Sequence, residues 1–417
     1  MKIGIYREFS GERAALALGG ADFSLAALAE GLEDRNDVEV IHDNPAFTRE
    51  RVEEFFGITL NRTRFRFEQG SPLRRPEVTY QSRLPWKMYR EAARWNSHLS
   101  KPYDLFICFA HFLPPFCHAR NGMLIVLFPH FDRSGCWPWN EGPVGRHPRV
   151  IRATKVAIHT AIHSWIWGER FRSYPHRYAN SEFTRHWIKK RWNVNCGVLY
   201  PPVDIRALPR EKQPIILSIG RITPLKQQLE LVRAFGAMAR TGLGGWSYHC
   251  IGGLDNSADH RAYFEEVRRA AGSLPICFMV DSSRADLELS LGSARIFWHA
   301  MGYGKDDGAE PFAMEHFGIA TVEAMAWGCV PVVINRGGQP EIVRHGVDGF
   351  LWDTLEELEH YTRLLMGDDE LWAKMSESAR RRAQAFSKER FVREVADCCN
   401  IPLDGPQSHR YFYVSKV

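Results

Sequence analysis

Short runs of β-branched and aromatic residues recur along this chain, separated by longer stretches in which apolar side chains return every three or four positions. KIGIY, VEVIH, LFICF, MLIVLF, IILSIG, SYHCIGG, ICFMV, RIFWHA and VPVVIN read as strands. Phe23 to Leu32 and Leu225 to Ala239 read as amphipathic helices; in the second, Leu225, Leu229, Val232, Phe235 and Ala239 keep the helical spacing. Strands alternating with helices predict an α/β fold of parallel sheets covered on both faces. The alternation pauses once, at Tyr200-Pro201-Pro202-Val203-Asp204, and the charged stretch Pro209-Arg210-Glu211-Lys212 follows. Two prolines beside charge read as an interdomain linker. The pattern therefore predicts one domain over residues 1–203 and a second over 204–394, with a tail at about 395–417 that packs back on the first. Ligands of such sheets collect at the carboxyl ends of the strands, so the cleft between the domains is the expected site.

Composition agrees with that layout. At 417 residues the chain is too long for one ordinary core, and 45% apolar residues is a normal globular share. No apolar run approaches the ~20 residues of a membrane-spanning helix, and the opening MKIGIYREF reads as a buried strand rather than a signal peptide. Nine cysteines without a Cys-x-x-Cys pair, most in apolar segments, suit reduced thiols and a cytosolic location. The net charge of +5 is mild but uneven: Arg146 to Arg191 holds eleven Lys or Arg against Glu169 and Glu182. Trp165, Trp167, Phe171, Tyr174, Trp187 and Trp192 are interleaved with that charge. The combination suggests docking on an anionic membrane face or capture of an acidic acceptor; the competing reading is a solvated basic face with its rings packed inward. No nucleic-acid-binding motif accompanies the charge, so nucleic acid is not an expected partner.

The most informative segment is Glu310 to Trp352. It reads as a turn at His316 to Gly318, a helix through Trp327 stopped by Gly328, and a buried strand from Val330 to Ile334. The Gly337-Gly338 pair then leads into a helix start at Gln339-Pro340-Glu341. Glu315 and Glu323 are eight residues apart, on the order of 12 Å if the stretch between them is helical. Two carboxyls working on one glycosidic bond with retention stand only ~5 Å apart. These two are better placed to grip opposite ends of one elongated ligand.

Here EHFGIATVEAMAWG, a Glu-x7-Glu pattern followed by VPVV and GGQPEIV, resembles the donor-binding signature of family-4 retaining glycosyltransferases. SIGRITPLKQQLELVRAF resembles that family's phosphate-binding strand, loop and helix, and YANSEFTRHWI with VLYPPVD resembles the end of its first domain. GGADFSLAALAEGL resembles its glycine-rich first loop, while DLFICFAHF and LIVLFPHFD resemble two strands that end in His. The resemblance implies a GT-B fold, two Rossmann-like domains facing across a deep cleft, and sugar transfer from a nucleotide sugar with retention. It implies that Glu323 holds the ribose and Glu315 the donor sugar, beside the N–H groups of Phe317, Gly318 and Ile319. It gives the diphosphate to Gly220, Arg221 and Lys226, at a strand-to-helix turn where backbone donors and the dipole already favour an anion. His130 would face the reacting sugar, with His111 a candidate on the acceptor side, and Gly19 and Gly20 would let the backbone approach phosphate or acceptor.

No Asp-x-Asp triplet exists in the chain, so no metal and no cofactor are expected, and basic residues take the diphosphate. His159 and His163 have metal-ligand spacing but neither a Glu between them nor a third ligand, and read as structural. His130 and His111 also admit a structural reading, as hydrogen-bonded histidines after strands. EHFGI and FPHF look most like mannosyltransferase relatives, which puts GDP-mannose ahead of a UDP-hexose as donor. Two departures touch that identity: the insertion Tyr303 to Met314 before Glu315, and the absence of a glycine near Val280-Asp281. A nucleotide-sugar epimerase, a phosphorylase and a non-catalytic nucleotide-sugar binder are the alternatives on the same fold, and the acceptor stays open, glycan, lipid-linked or small.

Overall fold

The computed structural model describes residues 1–9, 18–71, 85–111, 113–130, 149–206 and 210–403. The first sheet is built of β1 (Lys2–Arg7), β2 (Asp37–His42), β3 (Arg64–Phe67), β4 (Leu105–Ala110), β5 (Asn121–Val126), β6 (His176–Ala179) and β7 (Gly197–Val198), in the order β3-β2-β1-β4-β5-β6-β7. The second is built of β8 (Gln213–Ile219), β9 (Ser247–Gly252), β10 (Ile276–Val280), β11 (Ala294–His299), β12 (Val330–Ile334) and β13 (Phe350–Trp352), in the order β10-β9-β8-β11-β12-β13. All their pairings are parallel. The central strands explain why: LFICFA of β4 and VPVVI of β12 are buried throughout, which only helices on both faces can achieve. The strand order reverses between β1 and β4 and between β8 and β11. Crevices open at such reversals, beyond the carboxyl ends of the strands.

The two domains are joined by two crossings that pair with each other. Val203 donates its N–H to the Phe386 carbonyl at 2.9 Å and bridges Ser387 in parallel register. The helix Lys388–Cys399 then returns to the first domain. Phe391, Val392, Val395, Ala396 and Cys399 enter the same core as Ile3, Ile5 and Leu28, and Lys388 pairs with Glu30 at 2.7 Å. A Cβ on Gly31 would lie 2.6 Å from Val392, so glycine permits this close helix contact. The return thus begins at Lys388, upstream of the expected tail, and residues 404–417 lie outside the described residues.

The basic, aromatic stretch folds into the helices Arg149–Arg172 and Glu182–Trp192. Trp167, Phe171, Tyr174, Trp187 and Trp192 are buried, and Trp167 donates Nε1–H to the Trp192 carbonyl at 3.1 Å. The interleaving in sequence is therefore not a shared surface in space: five of the six rings pack inward, and only Trp165, 83% exposed, faces solvent. Much of the charge is also spoken for locally. Arg170 is buried and donates to the Pro114 carbonyl, Arg177 to those of Phe171 and Tyr174, and Arg191 to that of Pro129. Among the described residues no helix is long and apolar enough to cross a membrane.

Candidate active site

The second domain presents its site at the reversal between β8 and β11. β8 ends at Ile219; the N–H of Gly220 just beyond it donates to the Ile251 carbonyl at 3.0 Å, and Ile222 donates to the Gly253 carbonyl at 2.9 Å. The two strand ends run so close that a Cβ on Gly252 would fall 1.8 Å from the Gly220 carbonyl oxygen. A single 3₁₀ turn, Pro224–Lys226, then swings the chain into the helix Gln228–Ala239, with Gln227 left-handed at φ +59°. Arg221 is exposed on this turn. Lys226 reaches inward and its Nζ donates to Glu315 Oε2 at 2.5 Å.

His299, the last residue of β11, donates Nε2–H to the same Glu315 oxygen at 3.2 Å. Burial alone would raise the Glu315 carboxyl, but Lys226 and then His299 outweigh it and hold the group well below the usual carboxylate range. Burial in turn lowers the His299 pKa, so that ring is neutral beside an ionised carboxylate. Behind Glu315 the backbone is packed without slack. Gly338 donates its N–H to the Glu315 carbonyl at 2.8 Å, and a Cβ on Gly337, left-handed at φ +59°, would meet that oxygen at 2.2 Å.

The loop continues through Phe317, whose ring is buried against Tyr200 and Phe386 at centroid distances of 5.7 and 5.5 Å. Gly318 takes φ +123°, a conformation reserved for glycine, and starts the helix Ile319–Ala326. The first N–H groups of that helix have no intrahelical acceptor and form a ready anion or hydroxyl site. Glu323 lies one turn in. Arg284, first residue of the helix Arg284–Ser293, sets Nη1 3.5 Å from Glu323, Nη2 3.9 Å from Asp204 and Nε 2.8 Å from Glu288. Burial raises the Glu323 carboxyl, and Arg284 partly offsets it. Glu315 and Glu323 thus have separate partners. The missing glycine after β10 is explained as well: Asp281 itself takes the left-handed φ of +51° and accepts the Leu254 N–H at 3.2 Å.

The first domain closes the other wall. Gly19 caps the helix Gly20–Leu32, its N–H donating to Asp22, and Asp22 pairs with Arg7 at 2.7 Å. A Cβ on Gly20 would fall 2.1 Å from Ile319 Cδ1, so this glycine lets the first domain touch the start of the Glu323 helix. His316 stacks face to face on Phe128, centroids 3.9 Å apart and planes within 4°, with Phe183 parallel at 6.3 Å. Burial pushes the His316 pKa down to about 3. His130 stands 5.6 Å from Phe128 and 5.8 Å from His111. Solvent reaches its ring, yet the surrounding protein, and secondarily Arg191, lower its pKa. A further contact between the domains is hydrogen-bonded: Glu341 accepts the N–H groups of Glu182 and Phe183 at 2.7 and 2.8 Å, capping the helix Glu182–Trp192.

The structure joins Lys226 to Glu315 and Gly20 to Ile319, with Glu323 one turn into the helix that Gly318 caps, and sets His130 beside His111 and Phe128 on the first domain. Arg221 joins through its turn, while Phe317 contributes backbone and an anchoring ring. Sequence reasoning passed over His299, Arg284, His316 and Glu341. His299 carried a signal, since it ends a predicted strand on the ligand side; Arg284 carried none. The side chains of His159 and His163 lie outside the described residues.

Two parallel α/β domains whose switch points face one another define the GT-B class. Residues 203–382 match the family Glycosyl transferases group 1, which places the second domain in that family. A glycosyltransferase from Rickettsia africae superposes with a TM-score of 0.64 at 15% identity, over 96% of this chain and 97% of that one. Anabaena HepE in complex with UDP-glucose superposes with a TM-score of 0.62 at 19% identity, over 96% and 99%. In sequence, the GDP-Man:Man(3)GlcNAc(2)-PP-Dol alpha-1,2-mannosyltransferase of Dictyostelium discoideum is 29% identical over 240 residues, 51% of this chain and 44% of that relative. The match therefore spans less than half the length of that curated relative.

Proposed function

We propose that the chain is a retaining, metal-independent glycosyltransferase that moves a hexose from a nucleoside-diphosphate sugar, GDP-mannose ahead of a UDP-hexose, to a glycan, lipid-linked or small-molecule acceptor. The observation that carries this reading is the pair of separate grips, Lys226–Glu315–His299 and Glu323–Arg284, on one crevice at the strand reversal. Glu323 accepts the ribose hydroxyls, Glu315 the hydroxyls of the donor sugar, and the N–H groups of Phe317 to Ile319 meet the sugar or diphosphate. Arg221 and Lys226 take the diphosphate, and as the leaving group departs they stabilise its growing charge. The departing diphosphate oxygen accepts the acceptor's proton on the same face of the sugar, so retention needs no separate strong base. His130, neutral and at the cleft, is placed toward the sugar. The likeness to mannosyltransferases supports the preference for GDP-mannose.

A melting-temperature screen of GDP, UDP, ADP and dTDP sugars tests the donor, since a saturating ligand at a hundred times its Kd stabilises by about 2.7 kcal/mol. Stabilisation by GDP-mannose, and turnover that survives EDTA within a factor of a few, are expected. Silence across the whole screen, or loss of turnover on chelation with rescue by Mg²⁺, refutes the reading. A second reading, peripheral docking on an anionic, cytoplasmic membrane face, is favoured by Trp165, which stands exposed on the helix Arg149–Arg172. Co-sedimentation with anionic but not neutral vesicles, weakened by salt and by Trp165→Ala, is its expected outcome.

A further inference from the structure

Two groups, one from the turn after β8 and one from the end of β11, meet on one oxygen atom of Glu315. Lys226 Nζ lies 2.5 Å from Oε2 and His299 Nε2 lies 3.2 Å from the same atom. Such convergence on one oxygen leaves the second, Oε1, to other donors. Lys226 is also the cation that the proposed reading assigns to the diphosphate, and one ammonium cannot stay fully engaged with both. A diphosphate carries more charge than a carboxylate and offers more acceptor oxygens. When it draws Lys226 toward the turn, Glu315 is left ionised and half-buried, with His299 as the one side-chain partner of its carboxylate among the described residues. Such a charge is costly unless it is neutralised.

We propose that His299 is a positioning residue that fixes the Glu315 carboxylate, and that the His299–Glu315 pair takes up a proton when the diphosphate of the donor draws Lys226 away. The proton comes from solvent and is shared within the pair rather than owned by either residue. His299 Nδ1 is buried without a hydrogen-bond partner, so the neutral Nε2–H ring has an open basic nitrogen. The charged or titratable groups that act on the pair are few. Lys226 faces it from the turn after β8, and His316, next in the chain, feels both Glu315 and Lys226 and in turn the His130 of the first domain. His316, held neutral by burial, does not compete for the proton. The observed pairing is a charge-balanced Lys–Glu couple beside a neutral imidazole, and donor binding exchanges the lysine for a proton.

The inference rests on the proposed donor site, and titration calorimetry with GDP and GDP-mannose separates the two. Wild-type protein is titrated at pH 8 in phosphate and in Tris, whose ionisation enthalpies differ. The apparent binding enthalpy is expected to differ between buffers by a substantial fraction of one proton taken up per GDP. His299→Gln keeps a donor where Nε2 stands but cannot titrate: it is expected to lose the buffer dependence while GDP-mannose still binds more tightly than GDP. His299→Leu, checked for folding by its melting curve, is expected to lose at least tenfold of that sugar-dependent gain while GDP affinity stays within about threefold. A wild-type enthalpy that is the same in both buffers overturns proton uptake. An undiminished GDP-mannose gain in His299→Leu overturns the positioning role. If neither GDP nor any other nucleoside diphosphate binds the wild type, the donor site itself is wrong.

Discussion

At the scale of single residues, the two glutamates of the signature differ in what holds them. Glu323 faces Arg284, and Glu315 faces Lys226 and His299. Glu323→Gln should therefore weaken binding of a free nucleoside diphosphate about tenfold, the loss of a charge-assisted hydrogen bond worth about 1.5 kcal/mol. Glu315→Gln should spare that binding and depress sugar transfer instead. Calorimetry with the nucleotide alone decides it, and equal losses in the two variants refute the division. His316 offers a pH test. Its pKa is about 3 in the folded protein against an ordinary 6.5, because burial penalises the imidazolium. Above 6.5 the ring is neutral in both states and its contribution is intact. As pH falls below 6.5 the unfolded chain binds a proton that the folded ring refuses, so stability drops by about 1.4 kcal/mol per unit until pH nears 3. His316→Phe keeps the stack on Phe128 and removes the titration. Its denaturant midpoint should fall less than the wild type's between pH 6.5 and 4.5; parallel curves would show that His316 does not govern this window.

At the scale of elements, the site depends on strand ends that glycine brings together. β8 and β9 close on one another at Gly220 and Gly252, where the obstacle to a side chain is a backbone carbonyl that cannot rotate aside. Gly252→Ala should cost about 3 kcal/mol by overpacking and displace the Lys226 turn, lowering diphosphate affinity with it. Gly367, outside the left-handed region and with nothing within 4 Å of a hypothetical Cβ, serves as the comparison. If Gly252→Ala is no less stable than wild type, the two strand ends are not packed as described. The same scale explains which strands were legible. Nine long apolar runs announced themselves, whereas β3, β6, β7 and β13 did not. These have two to four residues, and β3 is RFRF, whose arginines pair with Asp37 and Glu39 on the neighbouring strand. Pairing across the sheet makes such a segment a strand; its own periodicity is too short to register.

At the scale of the whole molecule, the crevice exists because two domains are held in register by contacts between distant parts of the chain. Glu341, from the segment after β12, caps the helix Glu182–Trp192 of the other domain. Burial raises its carboxyl, and the two N–H donors offset part of that. Glu341→Ala returns both N–H groups to water at a cost of about 1 kcal/mol and frees the domains to open. Small-angle scattering should show a larger radius of gyration, and exchange should quicken at residues 182–184. An unchanged scattering curve with unchanged exchange would mean that stacking of His316 on Phe128 and the Gly20–Ile319 contact suffice.

The sequence by itself determined the alternation of strand and helix, the break near Val203, and the segment from Gly318 to Ile342, because these rest on local periodicity and on residues such as Gly318 that few others can replace. It also singled out Glu315 and Glu323 through their spacing, and Lys226 through its place at a strand-to-helix turn. Only the tertiary structure decided who partners them. His299 comes from β11 and Arg284 from the helix after β10, so their meeting with Glu315 and Glu323 depends on strand order, which no local pattern encodes. The same is true of the aromatic stretch from Trp165 to Trp192: its composition left an exposed docking surface and inward-packed rings both open, and packing on the first sheet turned five of six rings inward. Burial is a property of the assembled core, where apolar area leaves water, and a run of letters fixes which residues can be buried but not which of them find a neighbour.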